Sequence, residues 1–344
     1  MTRREALALL GALASAACGG HRAASPAPPP APALRLDPVV DLVPAAGLVW
    51  LVESRLRELL ASPAVAPAVA MVLPEARFDA FAGRHGGVDL RRVSQLAVAG
   101  YPEATLALAR VELEPARVEA AFGARALVVE GRAVEGGITR LWGTVGHERQ
   151  QLALLGHEAL GLERGRFGPL RAALYFAQGK LRRALPALRA EPLATAAALA
   201  GDAPLRAFAP GPFEGAWAAG LGGLLRAATA VAATLRPVER APGGAVALRV
   251  VLTGAWGADA GAAAERLAAA FNVLAADPLT RLMGLEHPLD GPRAYGDAGA
   301  LRLEVTLDAL ALGRGLHDAT DATIGEIMAY SVEGAPPSLT PEVR

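Results

Sequence analysis

Cysteine is all but missing from this chain. Cys18 stands alone among 344 residues, so neither an intrachain disulfide framework nor a thiolate metal cluster can be assembled from the sequence itself. Net charge is missing as well, because 34 basic residues balance 34 acidic ones and the pI lies near 7.0. A nucleic-acid binder is expected to carry a basic face or stripe; nothing in this balance provides one, and no nucleic-acid partner is expected. Lysine and asparagine are reduced to Lys180 and Asn272, so 33 of the 34 basic residues are arginine, and alanine fills roughly a quarter of the chain. That bias is the mark of GC-rich codon usage. It supplies arginine and alanine freely, and it gives Ala-rich helices that pack closely. With 53% hydrophobic residues, the chain is long enough for one large domain or two and can bury a core, which excludes disorder throughout.

Polarity is distributed unevenly at the start. Arg3 and Arg4 precede an apolar run from Ala6 to Ala14, then small residues Ser15, Ala16 and Ala17, and then Cys18. This order is that of a secretory signal, with a run too short to span a bilayer as a mature helix. Its ending resembles the signal of bacterial lipoproteins, which implies a lipid on Cys18 as the first mature residue; Ser15 stands where Leu is usual. The Thr2-Arg3-Arg4 start is similar to a twin-arginine signal, without its Phe and following Lys. A lipoprotein resemblance implies a membrane partner through the lipid. Gly19, where Asp would mark inner-membrane retention, implies placement at the outer membrane, facing the periplasm or the exterior. Residues 1–17 are read as the signal peptide and 18–38 as the lipidated Cys18 with a tether. The SPAPPPAPA stretch from Ser25 to Ala33 favours extended polyproline II, which reaches about 40 Å over a dozen residues.

The body reads as α+β, in two pseudo-repeated halves over 39–200 and 201–332, each an antiparallel sheet with helices on one face, followed by a loose tail over 333–344. In the first half, strands are predicted near Pro44–Glu53, Val93–Ala99 and Leu106–Leu113, and a helix opens at Glu114-Pro115. The stretch Ala126–Glu163 is strand-rich, with turns at Glu135-Gly136-Gly137, Gly146-His147-Glu148 and Gly156-His157-Glu158. Helices follow over Pro169–Arg183 and Ala184–Leu199. In the second half, a strand at Pro204–Phe208 leads to a long apolar helix at Phe213–Leu235, a strand at Ala245–Leu252 and a helix at Ala260–Ala276. Leu301, Leu303, Val305 and Leu307 alternate with polar residues as in a sheet with one wet face. Short helices are predicted around Asp308–Gly315 and Asp321–Tyr330. LAVAG (96–100) resembles VVLTG (250–254), and EAAFG (119–123) resembles AAAFN (268–272); both pairs lie about 150 residues apart, which suggests a duplicated unit.

Chemistry is harder to find. His147 and His157 repeat a GHE triplet, but a strand between them separates the imidazoles by up to about 30 Å, and no HExxH is present. No serine sits in a GxSxG elbow; Ser54 and Ser62 suit helix caps. Gly179-Lys180 lacks the rest of a phosphate loop, and no dinucleotide fingerprint occurs. His317 with Asp318, Asp321 and Glu326 is the best acid/base cluster, and it would support a hydrolase only weakly, since the acids suit helix capping. Gly215–Leu235 has one charge in 21 residues, but Arg226 at its middle would cost about 2.5–3.5 kcal/mol in a bilayer. A buried helix is expected there, able to line a cavity for an apolar ligand. The sequence therefore predicts a non-enzymatic cell-envelope lipoprotein with a binding or structural role. Its possible partners are an envelope protein or an apolar ligand, with no catalytic, cofactor-binding or metal residue assigned. The body resembles exported proteins of GC-rich bacteria as a class, without a motif that makes the likeness specific.

Overall fold

The computed structural model describes residues 33–318 apart from 167, 181–183, 241–243, 277–284 and 286–287. The chain runs β1 (Trp50–Ser54), α1 (Leu56–Ala61), α2 (Ala66–Val72), α3 (Glu75–Arg84), β2 (Gln95–Tyr101), β3 (Ala104–Arg110), α4 (Pro115–Arg125), β4 (Ala126–Glu135), β5 (Ile138–Val145), β6 (Glu148–Leu155), β7 (Ala159–Gly165), α5 (Pro169–Ala177), α6 (Leu193–Ala200) and β8 (Leu205–Pro210). It continues with β9 (Ala228–Val238), β10 (Ala245–Gly254), α7 (Ala260–Ala276), β11 (Asp290–Gly296) and β12 (Ala300–Asp308), and residues 309–318 are helical. All twelve strands join one sheet in the order β11-β12-β10-β9-β8-β1-β2-β3-β7-β6-β5-β4. Every pairing in it is antiparallel. The fold is therefore α+β, as the patterning predicts, but the strands form one sheet rather than one in each half, and helices cover both of its faces rather than one, because the alternating strands bury apolar side chains on both sides.

Turn chemistry builds the meander from β4 to β7. Gly146 and Gly156 hold φ at 62° and 61°, a region that glycine enters without a Cβ clash, and the strands reverse where the sequence places its GHE triplets. In β12, Leu301, Leu303, Val305 and Leu307 are buried because the pleat sends every second side chain to one face. They meet α7, whose buried residues Ala260, Ala263, Ala264, Leu267, Phe271 and Ala275 recur at helical spacing. On the same face of the first flank, Val118 and Phe122 of α4 pack with Leu141, Leu152 and Leu154. The opposite face carries the third core, in which α5, α6 and the turn at Val39–Leu42 cover Leu51, Ala99, Leu106, Phe208 and Val251. Each leucine-sized side chain fully buried in these layers contributes about 1.5–3 kcal/mol.

Two of the expected helices are also overturned or shortened. The predicted helix at Phe213–Leu235 is instead two short 3-10 turns, Gly215–Ala219 and Leu224–Arg226, followed by β9. Gly215, Gly222 and Gly223 take positive φ, and each glycine in a helix interior costs about 1 kcal/mol against alanine. Beyond them Ala228, Ala230, Ala232 and Thr234 are buried alternately along β9. Alanine suits either period, so the two-residue repeat is hidden from hydropathy. The cavity expected beneath that helix loses its roof. The helix predicted at Ala184–Leu199 is also shorter: a 3-10 turn at Ala187–Arg189 precedes α6. The signal segment with Cys18, most of the tether, the tail and the helix predicted at Asp321–Tyr330 lie outside the described residues.

Candidate functional site

The most chemically distinctive concavity lies on the outer part of the first flank, where α5 crosses β5 and β6. A single carboxylate sets that helix in place. Glu163 of β7, fully buried, accepts hydrogen bonds at Oε1 from the amides of Gly168 and Leu170, at 3.0 and 3.1 Å. It thereby satisfies two of the donors that a helix start leaves open. Its other oxygen, Oε2, is buried without a hydrogen-bond partner. Burial pushes the Glu163 carboxyl above its usual range, and the two amides oppose that shift. Gly161 completes the docking: a Cβ there would stand 2.6 Å from Leu170 Cδ1, so glycine lets Leu170 of α5 settle on the strand without its side chain being pushed aside. The helix then runs toward the β4–β5 turn, where Gln178 lies near Gly136.

Beneath α5, the two-residue GHE turn makes Trp142 and Gln151 direct cross-strand partners. Arg140 lies two residues before Trp142 and Arg149 two residues before Gln151, so all four side chains share one face. Arg171 and Tyr175, spaced i and i+4 on α5, supply the wall. Together these residues line a groove of about 650 Å³, a size suited to a small organic ligand. The Trp142 indole lies across Gly131 of β4, its cross-strand partner, where a Cβ would come within 2.2 Å of the ring. Trp50 covers Gly100 in the same way on the other face.

The electrostatics of the groove are one-sided. Arg149 pairs with Glu130 at 2.7 Å, whereas Arg140 and Arg171 form no ion pair among the described residues. Gln151 is only 6% exposed, lines the groove and makes no side-chain hydrogen bond among the described residues. Its amide atoms are not among the buried groups left without a partner, so they open onto the groove, where water or a ligand can meet them. The start of α5 cannot itself hold an anion through Gly168 or Leu170, since Glu163 already uses those amides.

The residues singled out from sequence lie elsewhere. His147 and His157 occupy opposite ends of β6, at the β5–β6 and β6–β7 turns, and His157 Nδ1 lies 3.4 Å from the Leu113 carbonyl. Among the described residues no cluster of three or more His, Cys, Asp or Glu side chains is arranged to hold a metal. His317 is half-buried and Asp318 exposed at the end of the 309–318 helix, while Asp321 and Glu326 lie outside the described residues. The groove arginines were hidden by abundance: among 33 arginines none stands out. The available signal was the two-residue turn at Gly146-His147, which fixes Trp142 opposite Gln151 and sets Arg140 and Arg149 on their face.

Fold and groove together define a class, an α+β protein built on one broad antiparallel sheet with an arginine-rimmed, aromatic-lined groove on one face. Comparisons with models of protein families, with curated proteins and with solved structures return no match.

Proposed function

We propose that this chain is a lipid-anchored binding protein of the bacterial cell envelope, held through Cys18 and its Pro/Ala tether at the outer membrane. The observation that carries the binding role is the groove lining, in which Arg140, Arg149 and Arg171 surround Trp142, Tyr175 and the side-chain amide of Gln151. The anchor rests on the order of the first eighteen residues: two arginines, an apolar run, small residues and the chain's one cysteine. A diffusible carrier of an apolar molecule is less well supported, because the helix that was to roof its cavity is replaced by β9.

Intact mass and membrane fractionation test the anchor. The protein expressed in a bacterial host is expected in the membrane fraction with a diacylglycerol-sized mass increment, and Cys18→Ala is expected to lose both. Recovery of an unmodified wild-type product from the soluble fraction would overturn the anchor.

We also propose that the body is a duplicated unit. Strand order supports this: outward from the β1/β8 seam the sheet reads β1-β2-β3-β7 on one side and β8-β9-β10-β12 on the other. On each side a helix, α4 or α7, follows the third strand, and another helix follows β7 or β12. The EAAFG and AAAFN matches fall on the equivalent helices α4 and α7. LAVAG and VVLTG fall on β2 and β10, which this order does not equate. Alignment of the two halves across related sequences is expected to pair β3 with β10; a consistent β2 to β10 register would count against the scheme.

A further inference from the structure

The geometry points to a small organic anion bearing a planar ring as the ligand of the groove between α5 and the β5–β6 hairpin, a step that rests on the binding role proposed above. Three features specify the two parts of such a molecule. Arg140, Arg149 and Arg171 all line the groove, and no carboxylate does; Glu130 pairs with Arg149 at the rim and Glu163, opposite Gln151, is engaged by the start of α5, so the lining itself carries the positive charge in a chain of no net charge. Guanidinium groups are planar forks that match carboxylate and phosphate oxygens. Trp142 and Tyr175 supply flat apolar surface between the cations, and Trp142 is held by its seat on Gly131. Gln151 adds an amide whose donors and acceptor are unused.

Placement along the groove refines the assignment. Four residues separate Arg149 from Ala153, the partner of Arg140, so the two arginines stand about 14 Å apart along the strands. Because α5 starts beside the end of β7 and runs toward Gly136, Arg171 faces the Arg149 end and Tyr175 the Arg140 end. The acidic group therefore sits between Arg149 and Arg171, the ring lies on Trp142 and Tyr175, and Arg140 takes any second acidic substituent. Glu130, already paired to Arg149, sets the rim of the site.

Phenyl phosphate serves as the probe, with inorganic phosphate, benzyl alcohol and benzylamine as its fragments and charge-reversed analogue. Calorimetry on the detergent-solubilised full-length protein is expected to show phenyl phosphate binding at least tenfold tighter than either inorganic phosphate or benzyl alcohol. Arg171→Ala, at an exposed position, is expected to weaken it tenfold or more. Gln151→Leu is expected to weaken binding while leaving the urea midpoint unchanged or raised, a combination that a purely structural glutamine would not give. Phenyl phosphate binding that is indifferent to Arg171→Ala and Gln151→Leu would overturn the assignment. So would preferential binding of benzylamine or benzyl alcohol in a Gln151-dependent manner, although the binding role would then stand with a different ligand class. Absence of binding by all four probes would remove both. The mass and fractionation result for Cys18 is read on separate samples and is unaffected by any of these outcomes.

Discussion

Arg206→Leu is expected to lower the free energy of unfolding by about 2–4 kcal/mol, between the small cost of breaking a surface ion pair and the larger cost of breaking a fully buried one from one side, because this pair is partly buried. Glu53 and Arg206 face one another directly across the β1/β8 seam, with Nε to Oε1 at 2.5 Å and side chains 12% and 18% exposed. Arg206 also donates to the Gly201 carbonyl and stacks over Phe208, while Glu53 Oε2 is buried without a hydrogen-bond partner. Removing the arginine leaves a carboxylate with little water and no cation at this pairing. The double variant Glu53→Leu/Arg206→Leu is expected to recover most of the loss, since two apolar side chains need no compensation. By contrast, Arg92→Ala, which breaks an ion pair with Glu112 exposed at 62% and 78%, is expected to change stability by less than about 1 kcal/mol. Urea midpoints of the four proteins check the set. A loss below 1 kcal/mol for Arg206→Leu would mean that Glu53 is solvated at the seam.

Glu163 gives the second large effect, and its sign depends on the replacement. Glu163→Leu removes the acceptor for the Gly168 and Leu170 amides, at about 1–3 kcal/mol for the Leu170 amide left buried and unpaired, while the exposed Gly168 amide can turn to water. It also frees α5 from the sheet, so the groove is expected to lose its wall and any affinity for phenyl phosphate. Glu163→Gln keeps a carbonyl oxygen for both amides and removes the charge. Because burial raises the Glu163 pKa above its unfolded value, the folded protein binds more protons than the unfolded one between those two values. Stability from this residue is therefore greatest at low pH and declines as pH rises from about 4.5 through the raised folded-state value. Against wild type, Glu163→Gln is expected to gain relative stability across that window and hold the gain at neutral pH. Urea midpoints of both proteins from pH 4 to 8 test this; parallel profiles would show that Glu163 is charged at no cost. The comparison with the variant is needed because Asp89, Asp202 and Asp297 are held below the usual carboxylate range, each chiefly by an arginine side chain, and they add the opposite slope at more acidic pH.

Local signals carried much of the fold. Gly136, Gly146 and Gly156 mark turns whose φ values only glycine adopts easily, so the β4–β7 meander was readable residue by residue. The period of two in Leu301–Leu307 and the helical spacing of Leu267 and Phe271 were equally plain, because bulky side chains on one face leave a clear pattern. Where alanine replaces them the pattern disappears. Ala228, Ala230 and Ala232 fit a helix or a strand equally well, and the choice of β9 fell to neighbours: β8 and β10 offer hydrogen bonds on both sides, which no local preference encodes.

Taken by itself, the sequence determined the mixed α+β class, the turn positions, the alternation of β12 and the lone Cys18 after an apolar run, each a property of neighbouring residues. Tertiary structure alone decided that β1 and β8 adjoin, joining both flanks into one sheet. It also brought Arg171 of α5 over Arg149, Trp142 and Gln151 of the β5–β6 hairpin. The physical reason is range. Turns and amphipathic periods are set by sterics over a few residues, whereas the groove depends on Glu163 capping a helix from a neighbouring strand and on Gly161 yielding space to Leu170, two contacts that exist only once the sheet has formed.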